Sequence, residues 1–346
     1  MNIVVTGGAG FIGSNFLTRF VPLHPEHRFV NVDKLTYAAN LRNLDAISGA
    51  ANYQLVRADL ANFAEVDAVF EAHRPELVIH FAAESHVDRS ILGPRDFIST
   101  NVVGTFNLLE ACRKHWPAGH GLLHHVSTDE VYGSLGETGA FTEETRYDPS
   151  SPYSASKAAS DHFVRAYHRT YGLPVKITNC SNNYGPRQFP EKLIPLMIVN
   201  ALEGKGLPVY GAGANVRDWL YVDDHCDGIW NVIQRGVVGE TYNIGGGGER
   251  RNIDVVHALC GALAEETGRP VQDFSKLITF VKDRPGHDLR YAIDSSRVRR
   301  VCGWEPRETF ESGLRKTVRW YLENTSWIDG VRSGEYTNWS NANYGK

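Results

Sequence analysis

Tyr153-Ser154-Ala155-Ser156-Lys157 sets a phenol and an ammonium four residues apart, a spacing that brings both to one face of a helix. An ammonium near a phenol favours the phenolate, and a phenolate can take the proton of an alcohol as its hydride leaves. Upstream, the apolar run 122–127 is followed by Thr128-Asp129-Glu130, a hydroxyl and two adjacent carboxyls. Two acids in different surroundings can separate their pKa values, one serving as carboxylate base and the other as protonated acid. Such a pair asks for more than alcohol oxidation. In isolation a Tyr-x-x-x-Lys pair is an ordinary helix face and two acids after a strand are an ordinary helix cap. Their weight comes from the chain around them.

Short β-rich runs recur at 3–5, 29–32, 54–57, 77–81, 122–127 and 175–178 with helical stretches between them. This alternation predicts parallel strands joined by crossover helices, in an α/β, doubly wound, Rossmann-type sheet covered on both faces. From about residue 179 the alternation weakens and Gly, Pro and Asn rise. The expected division is a dinucleotide-binding domain over 1–181, with segments near 215–245 returning to it. A smaller mixed α/β substrate domain is expected mainly over 182–346, including a polar, aromatic tail 327–346 that packs. Directly after the first strand stands Thr6-Gly7-Gly8-Ala9-Gly10-Phe11-Ile12-Gly13. Gly7 allows the tight turn, Gly10 lets backbone N–H groups reach a pyrophosphate, and Gly13 permits close helix–strand packing. Asp33, twenty residues past Gly13, ends the second strand, where a carboxylate accepts from a ribose 2′-hydroxyl and repels a 2′-phosphate. NAD is therefore expected over NADP. Asp59-Leu60 and Phe81-Ala82-Ala83-Glu84-Ser85 follow the third and fourth strands, at the edge where an open sheet presents its crevice. Asp59 is a candidate partner for an adenine amino group, and the two alanines allow close passage of a cofactor.

Lys+Arg 36 against Asp+Glu 40 leaves a net charge of −4, which argues against nucleic acid as a partner. With 42% hydrophobic residues a sizeable core is available. No apolar run approaches the ~20 residues of a membrane helix, and the amino terminus enters a strand without a signal-peptide pattern. Five cysteines without a C-x-x-C pair suggest neither disulfides nor thiolate zinc; a reducing, cytoplasmic setting is expected. His120, His124 and His125 lack metal-ligand spacing, and no metal is expected.

At these residues the chain resembles the extended short-chain dehydrogenase/reductases and, among them, the dTDP-glucose 4,6-dehydratase family, over nearly its whole length. The resemblance rests on Asp33-Lys34-Leu35-Thr36-Tyr37-Ala38, Ala83-Glu84-Ser85-His86-Val87-Asp88, Thr128-Asp129-Glu130, Asn182-Asn183-Tyr184-Gly185-Pro186, Arg217-Asp218-Trp219-Leu220-Tyr221-Val222-Asp223-Asp224-His225 and Arg284-Pro285-Gly286-His287-Asp288. Ala39 stands where the family usually has Gly, and Gly247-Gly248 replaces a bulkier pair. The resemblance implies a redox-neutral elimination on a nucleotide-sugar, dTDP-glucose, with hydride moving from C4 to C6 through tightly bound NAD, in deoxysugar biosynthesis. Tyr153, tuned by Lys157, would take the C4 hydroxyl proton. Thr128 would bond the C4 oxygen, Glu130 would act as base at C5, and Asp129 would protonate the departing C6 hydroxyl. Besides residues already named, it implies NAD contacts from Lys34, Leu35, Thr36, Thr100 and Asn183. Substrate contacts are implied for Ser85, Asn182, Lys192, Leu193, Pro208, Tyr210, Arg217, Asn252, Arg284, His287 and Tyr344, the two arginines meeting the diphosphate. A homodimer is also implied. Competing readings are a nucleotide-sugar 4-epimerase or decarboxylase, which need no Asp129-Glu130 couple, and a non-catalytic NAD-binding regulator. Direct titration should show NAD binding far more tightly than NADP; equal affinities would remove the role given to Asp33.

Overall fold

The computed structural model describes residues 1–117, 120–283 and 287–331. Six parallel strands appear where the pattern requires them: β1 (Asn2–Thr6), β2 (Arg28–Asp33), β3 (Tyr53–Arg57), β4 (Leu77–His80), β5 (Leu122–Thr128) and β6 (Val175–Cys180). Phe81, expected to close the fourth strand, lies just beyond it and begins the crevice loop. The second half adds β7 (Asn182–Tyr184), β8 (Leu207–Tyr210), β9 (Val216–Tyr221), β10 (Thr241–Ile244), β11 (Glu249–Arg251) and β12 (Ile278–Val281). The large sheet runs β10-β6-β5-β4-β1-β2-β3, parallel throughout. Its order reverses between β1 and β4, where Val4 pairs with Val78 and Thr6 with His80. The loops leaving these two strands turn to opposite faces, which opens a crevice at their carboxyl ends.

Helices cover both faces. Phe16, Leu17 and Phe20 of the Phe11–Leu23 helix pack with Ile229 and Ile233 of the Val222–Arg235 helix on one side. On the other, Val69 and Phe70, Leu108 and Leu109, and Val164 join Val4, Val78 and Leu123. Thus 222–244 packs with the first half of the chain, with β10 as an edge strand. The helix Pro152–Tyr171 starts at Ser151, whose hydroxyl accepts from Ser154 N–H while Ser154 returns a bond to Ser151 N–H. This capping box and Pro152 in the first turn fix its start, and left-handed Gly172 ends it.

The remaining strands form β11-β9-β7 and β12-β8. With helices Leu193–Leu202, Asn252–Thr267 and Phe310–Glu323 they enclose a second core around Tyr184, Met197, Leu259, Phe274 and Tyr321. Of the aromatic tail, Trp327 is buried and donates its indole N–H to Asn43 Oδ1 at 2.7 Å. Residues 332–346 lie outside the described part. Among the described residues no helix is long and apolar enough to cross a membrane, and the five cysteines are free and buried.

Leu123 sits on β5 between β4 and β6 with no exposed surface. Leu123→Ala should lower unfolding free energy by about 2–5 kcal/mol, read as a reduced urea midpoint; a loss below about 1 kcal/mol would contradict a close-packed centre at this strand.

Candidate active site

Loops from the carboxyl ends of β1 to β6 meet in one crevice. Gly7 takes φ +72, and a Cβ there would lie 2.7 Å from Ala82 Cα; a Cβ on Gly13 would lie 2.4 Å from the Gly7 carbonyl oxygen. Only glycine lets these backbones approach so closely. Gly10 is the N-cap of Phe11–Leu23 and supplies no side-chain cap, so N–H groups of the first turn are left to face the crevice. Such an uncapped helix end beside a glycine turn fits a pyrophosphate. Asp33 accepts Ala9 N–H at 2.9 Å on one carboxylate oxygen and Leu35 N–H at 2.8 Å on the other. Burial raises its pKa, and these two bonds oppose the rise. The carboxylate thereby fixes the glycine loop while still lining the crevice.

The reactive groups stand across from this cradle. β5 delivers Thr128, and a short 3₁₀ turn, Asp129–Tyr132, follows at once. Thr128 Oγ1 accepts Glu130 N–H at 3.3 Å and donates to Asp129 Oδ1 at 3.4 Å. Asp129 is 1% exposed, and its Oδ2 has no hydrogen-bond partner among the described residues. Burial drives its pKa well above the ordinary 3.8, and the Glu130 and Asp218 carboxylates push the same way; Arg217 opposes only in part. Asp129 therefore holds a proton where an ordinary carboxyl has lost it. Asp218 is itself fixed by N–H bonds from Gly246 and Gly248 at 3.0 and 2.8 Å.

Tyr153 and Lys157 are both buried on one face of the Pro152–Tyr171 helix. Burial raises the Tyr153 pKa and Glu130 adds to it, while a side-chain hydrogen bond with Thr128 opposes. Lys157 Nζ donates to the Val126 carbonyl at 2.9 Å and lies 3.4 Å from His125 Nε2. Burial lowers the Lys157 pKa, opposed by Asp161. Burial also presses on Asp161, but the bond and charge of His125 with the charges of Lys157 and Arg165 outweigh it and keep that carboxyl below its usual range. His124 and His125, adjacent on β5, bond Thr178 and approach Asp161 respectively.

With this geometry in hand, the likeness to known proteins is specific. The profile of the GDP-mannose 4,6 dehydratase family matches residues 4–317. A dTDP-glucose 4,6-dehydratase of Neisseria meningitidis serogroup B is 57% identical over 344 residues, spanning 96% of this chain and 97% of that one. That of Salmonella typhimurium is 54% identical over 359 residues, 99% of each. The chain belongs to the dTDP-glucose 4,6-dehydratase family. Within it, the crystal structure of the Streptomyces venezuelae protein with NAD and TYD bound matches with a TM-score of 0.88 at 46% identity, covering 96% of this chain and 100% of that one.

Most residues that the resemblance to dTDP-glucose 4,6-dehydratases singled out share the crevice wall. Phe11, Ile12, Lys34, Thr36, Asp59, Leu60, Phe81, Ala82, Ala83, Ser85 and Thr100 line it with Asn182, Asn183, Lys192 and Leu193. Lys34 is steadied by Thr100 Oγ1 at 3.0 Å, and Asp59 accepts Ala61 N–H at 2.9 Å. Leu35 departs from expectation: with φ 60 its side chain turns to pack on the core instead of lining the crevice. Pro208, Tyr210, Arg217, Asn252 and His287 also stand off this wall. Arg217 donates to the Val216 and Asp288 carbonyls at 2.7 and 2.9 Å and stacks 4.2 Å over Tyr291. Tyr210 donates to Asp88 at 3.2 Å, and His287 lies 2.7 Å from Asp283. Among the described residues, Asn252 Oδ1 is buried without a hydrogen-bond partner. Arg284 and Tyr344 lie outside the described residues.

Several wall residues went unmarked in the sequence reading, notably Cys180, Gln188 and Glu191. Glu191 is buried and accepts Arg89 Nε at 3.1 Å and Tyr37 hydroxyl at 3.3 Å, with Arg89 stacked 3.6 Å over Tyr37. Its one sequence signal was an acid preceding Lys192.

A carboxyl with a raised folded pKa keeps its proton where the unfolded chain has released one. Its contribution thus falls as pH climbs from 3.8 through the folded value. Asp129→Asn should therefore raise stability at neutral pH relative to the parent and flatten the decline, measured by thermal unfolding across pH. A variant destabilised equally at every pH would contradict a protonated Asp129.

Proposed function

We propose that the chain is an NAD-dependent dTDP-glucose 4,6-dehydratase, a lyase that converts dTDP-glucose to dTDP-4-keto-6-deoxyglucose and water. The observation that carries the reading is the buried, proton-holding Asp129 next to Glu130 in the crevice that also holds Tyr153 and Lys157. The glycine turn, uncapped helix and buried Asp33 fit a dinucleotide, and bound NAD would supply a reversible hydride acceptor. The relatives from Streptomyces venezuelae and Bacillus anthracis were crystallised with NAD.

Tyr153 takes the C4 hydroxyl proton, with the Lys157 ammonium one helical turn away offsetting the charge of the phenolate. The 4-ketone acidifies C5–H, and Glu130 takes that proton. Asp129 donates its proton to the C6 hydroxyl, which leaves as water. Each later returns to its starting state. Asn182, Leu193 and Lys192, whose Nζ donates to the Ser85 carbonyl at 2.7 Å, are assigned with Pro208 and Tyr210 to the enclosure of the nucleoside diphosphate. Arg217, Asn252, Arg284, His287 and Tyr344 are assigned to the nucleoside diphosphate. A 4-epimerase or decarboxylase on this scaffold has no use for a protonated acid beside a base, and a regulator has no use for either. A homodimer is supported by Phe106 and Phe163, each 40% exposed and in edge contact across neighbouring helices, beside exposed Val103. A cytoplasmic location is proposed with it, in keeping with five free, buried cysteines.

Three variants separate the roles. Tyr153→Phe should give neither product nor solvent-hydrogen exchange at C5. Asp129→Asn should retain that exchange while water loss slows by roughly 10²–10⁴. Glu130→Gln should lose both. Wild-type water loss in either acidic variant, or a C4-inverted sugar with its C6 hydroxyl intact, would overturn the assignment.

A further inference from the structure

The turn that joins the Phe11–Leu23 helix to β2 reads His24-Pro25-Glu26-His27. Two imidazoles and a carboxylate are the donor set of a borderline divalent ion such as zinc, whereas magnesium and calcium take oxygen ligands. Two histidines three apart in a loop carry none of the spacings that mark a zinc helix or finger, so only the folded turn brings them together. The turn precedes β2 and lies at the opposite edge of the sheet from the crevice, which opens at the carboxyl ends of the strands.

His24 Nδ1 lies 3.2 Å from Glu26 Oε1, and His27 Nε2 lies 3.4 Å from the same oxygen. All three atoms stand within 4.8 Å of one another. A tetrahedral zinc with bonds of about 2.0–2.1 Å sets neighbouring ligand atoms roughly 3.3–3.4 Å apart, so two edges of the tetrahedron are in place and rotation of one imidazole closes the third. The backbone beneath is fixed beforehand. His24 N–H donates to the Phe20 carbonyl and His27 N–H to the His24 carbonyl, both at 3.0 Å. Asn52 Nδ2 lies 2.9, 3.1 and 3.2 Å from the carbonyls of Val21, His24 and His27, and the Trp230 ring packs 4.8 Å from that of His24. Ligands held in this way lose little freedom on binding an ion. The Glu26 side chain is 59% exposed, which gives the ion an entry path and lets water complete its shell. His27 Nδ1 has no hydrogen-bond partner among the described residues, so nothing on that side of the ring holds the proton on Nε2.

We propose that His24, Glu26 and His27 form a zinc site, four-coordinate with water in the remaining position, that fastens the end of the first helix to the start of β2. Its place at the amino edge of the sheet makes it a structural site, separate from the reaction in the crevice.

The test uses the untagged, full-length holoenzyme, freed of metal with a chelator and titrated with Zn²⁺ alone, then in a separate sample with Co²⁺. One Zn²⁺ per chain should bind and raise the thermal unfolding midpoint, because the ion favours the folded state. Co²⁺ should give the intense visible bands of a four-coordinate ion. Glu26→Gln alters one exposed side chain and leaves the helix and strand intact. It should weaken Zn²⁺ binding by more than about tenfold, the least that loss of even an outer hydrogen-bond partner costs a metal site, and should abolish the thermal gain. His27→Ala should do the same. No uptake of Zn²⁺ by the parent, uptake equally tight in both variants, or the weak bands of six-coordinate Co²⁺ would each overturn the site.

Discussion

Everything reactive in this molecule depends on parallel strands ending together. β1 to β6 all point their carboxyl ends to one edge, and the order reversal between β1 and β4 keeps that edge open. The Gly7 turn presses against Ala82 there, joining the first and fourth strands at the base of the crevice. A Cβ on Gly7 would collide with the Ala82 backbone and force the two loops apart.

The opposite wall is governed by desolvation. Asp129, Tyr153 and Lys157 are all buried, and in each case the largest influence on the proton is loss of water. Burial moves acids up and amines down, so the same dryness that leaves Asp129 protonated also resists forming the Tyr153 phenolate. Charge placement must separate their behaviour. Glu130 acts on both, Arg217 partly counters at Asp129, and Asp161 with His125 surrounds the Lys157 ammonium. One low-dielectric site thus raises the Asp129 pKa while holding the Lys157 ammonium on the helix face that carries Tyr153.

The second half of the chain closes the site by bringing polar loops to the sheet edge. Asn182 and Asn183 leave β6 through β7, while Glu191 and Lys192 reach back to Arg89 and Ser85 on the loop after β4. These contacts cross more than a hundred residues of sequence and tie the second half of the chain to the loop after β4. They also account for burial of Glu191, whose carboxylate is held between Arg89 and Tyr37.

The sequence by itself determined the parallel sheet, the glycine turn, Asp33 and the two reactive clusters, because each is written in local spacing: strand period, a three-residue glycine repeat, one helical turn from Tyr153 to Lys157. Even the separation of roles between two neighbouring acids was foreseeable in kind. Tertiary structure alone decided that Asp129 keeps its proton, since its pKa is raised by burial and by the charge of Asp218, with Arg217, also from β9, opposing in part. It alone sent Lys157 to the Val126 carbonyl, turned Leu35 into the core, and satisfied Arg217 on the Val216 and Asp288 carbonyls away from the crevice wall. It also brought in Glu191 and Gln188, which have no distinctive spacing. Periodicity reports which way a side chain leaves its own helix or strand; what it meets there is set by segments far away in the chain, and proton affinity follows what it meets.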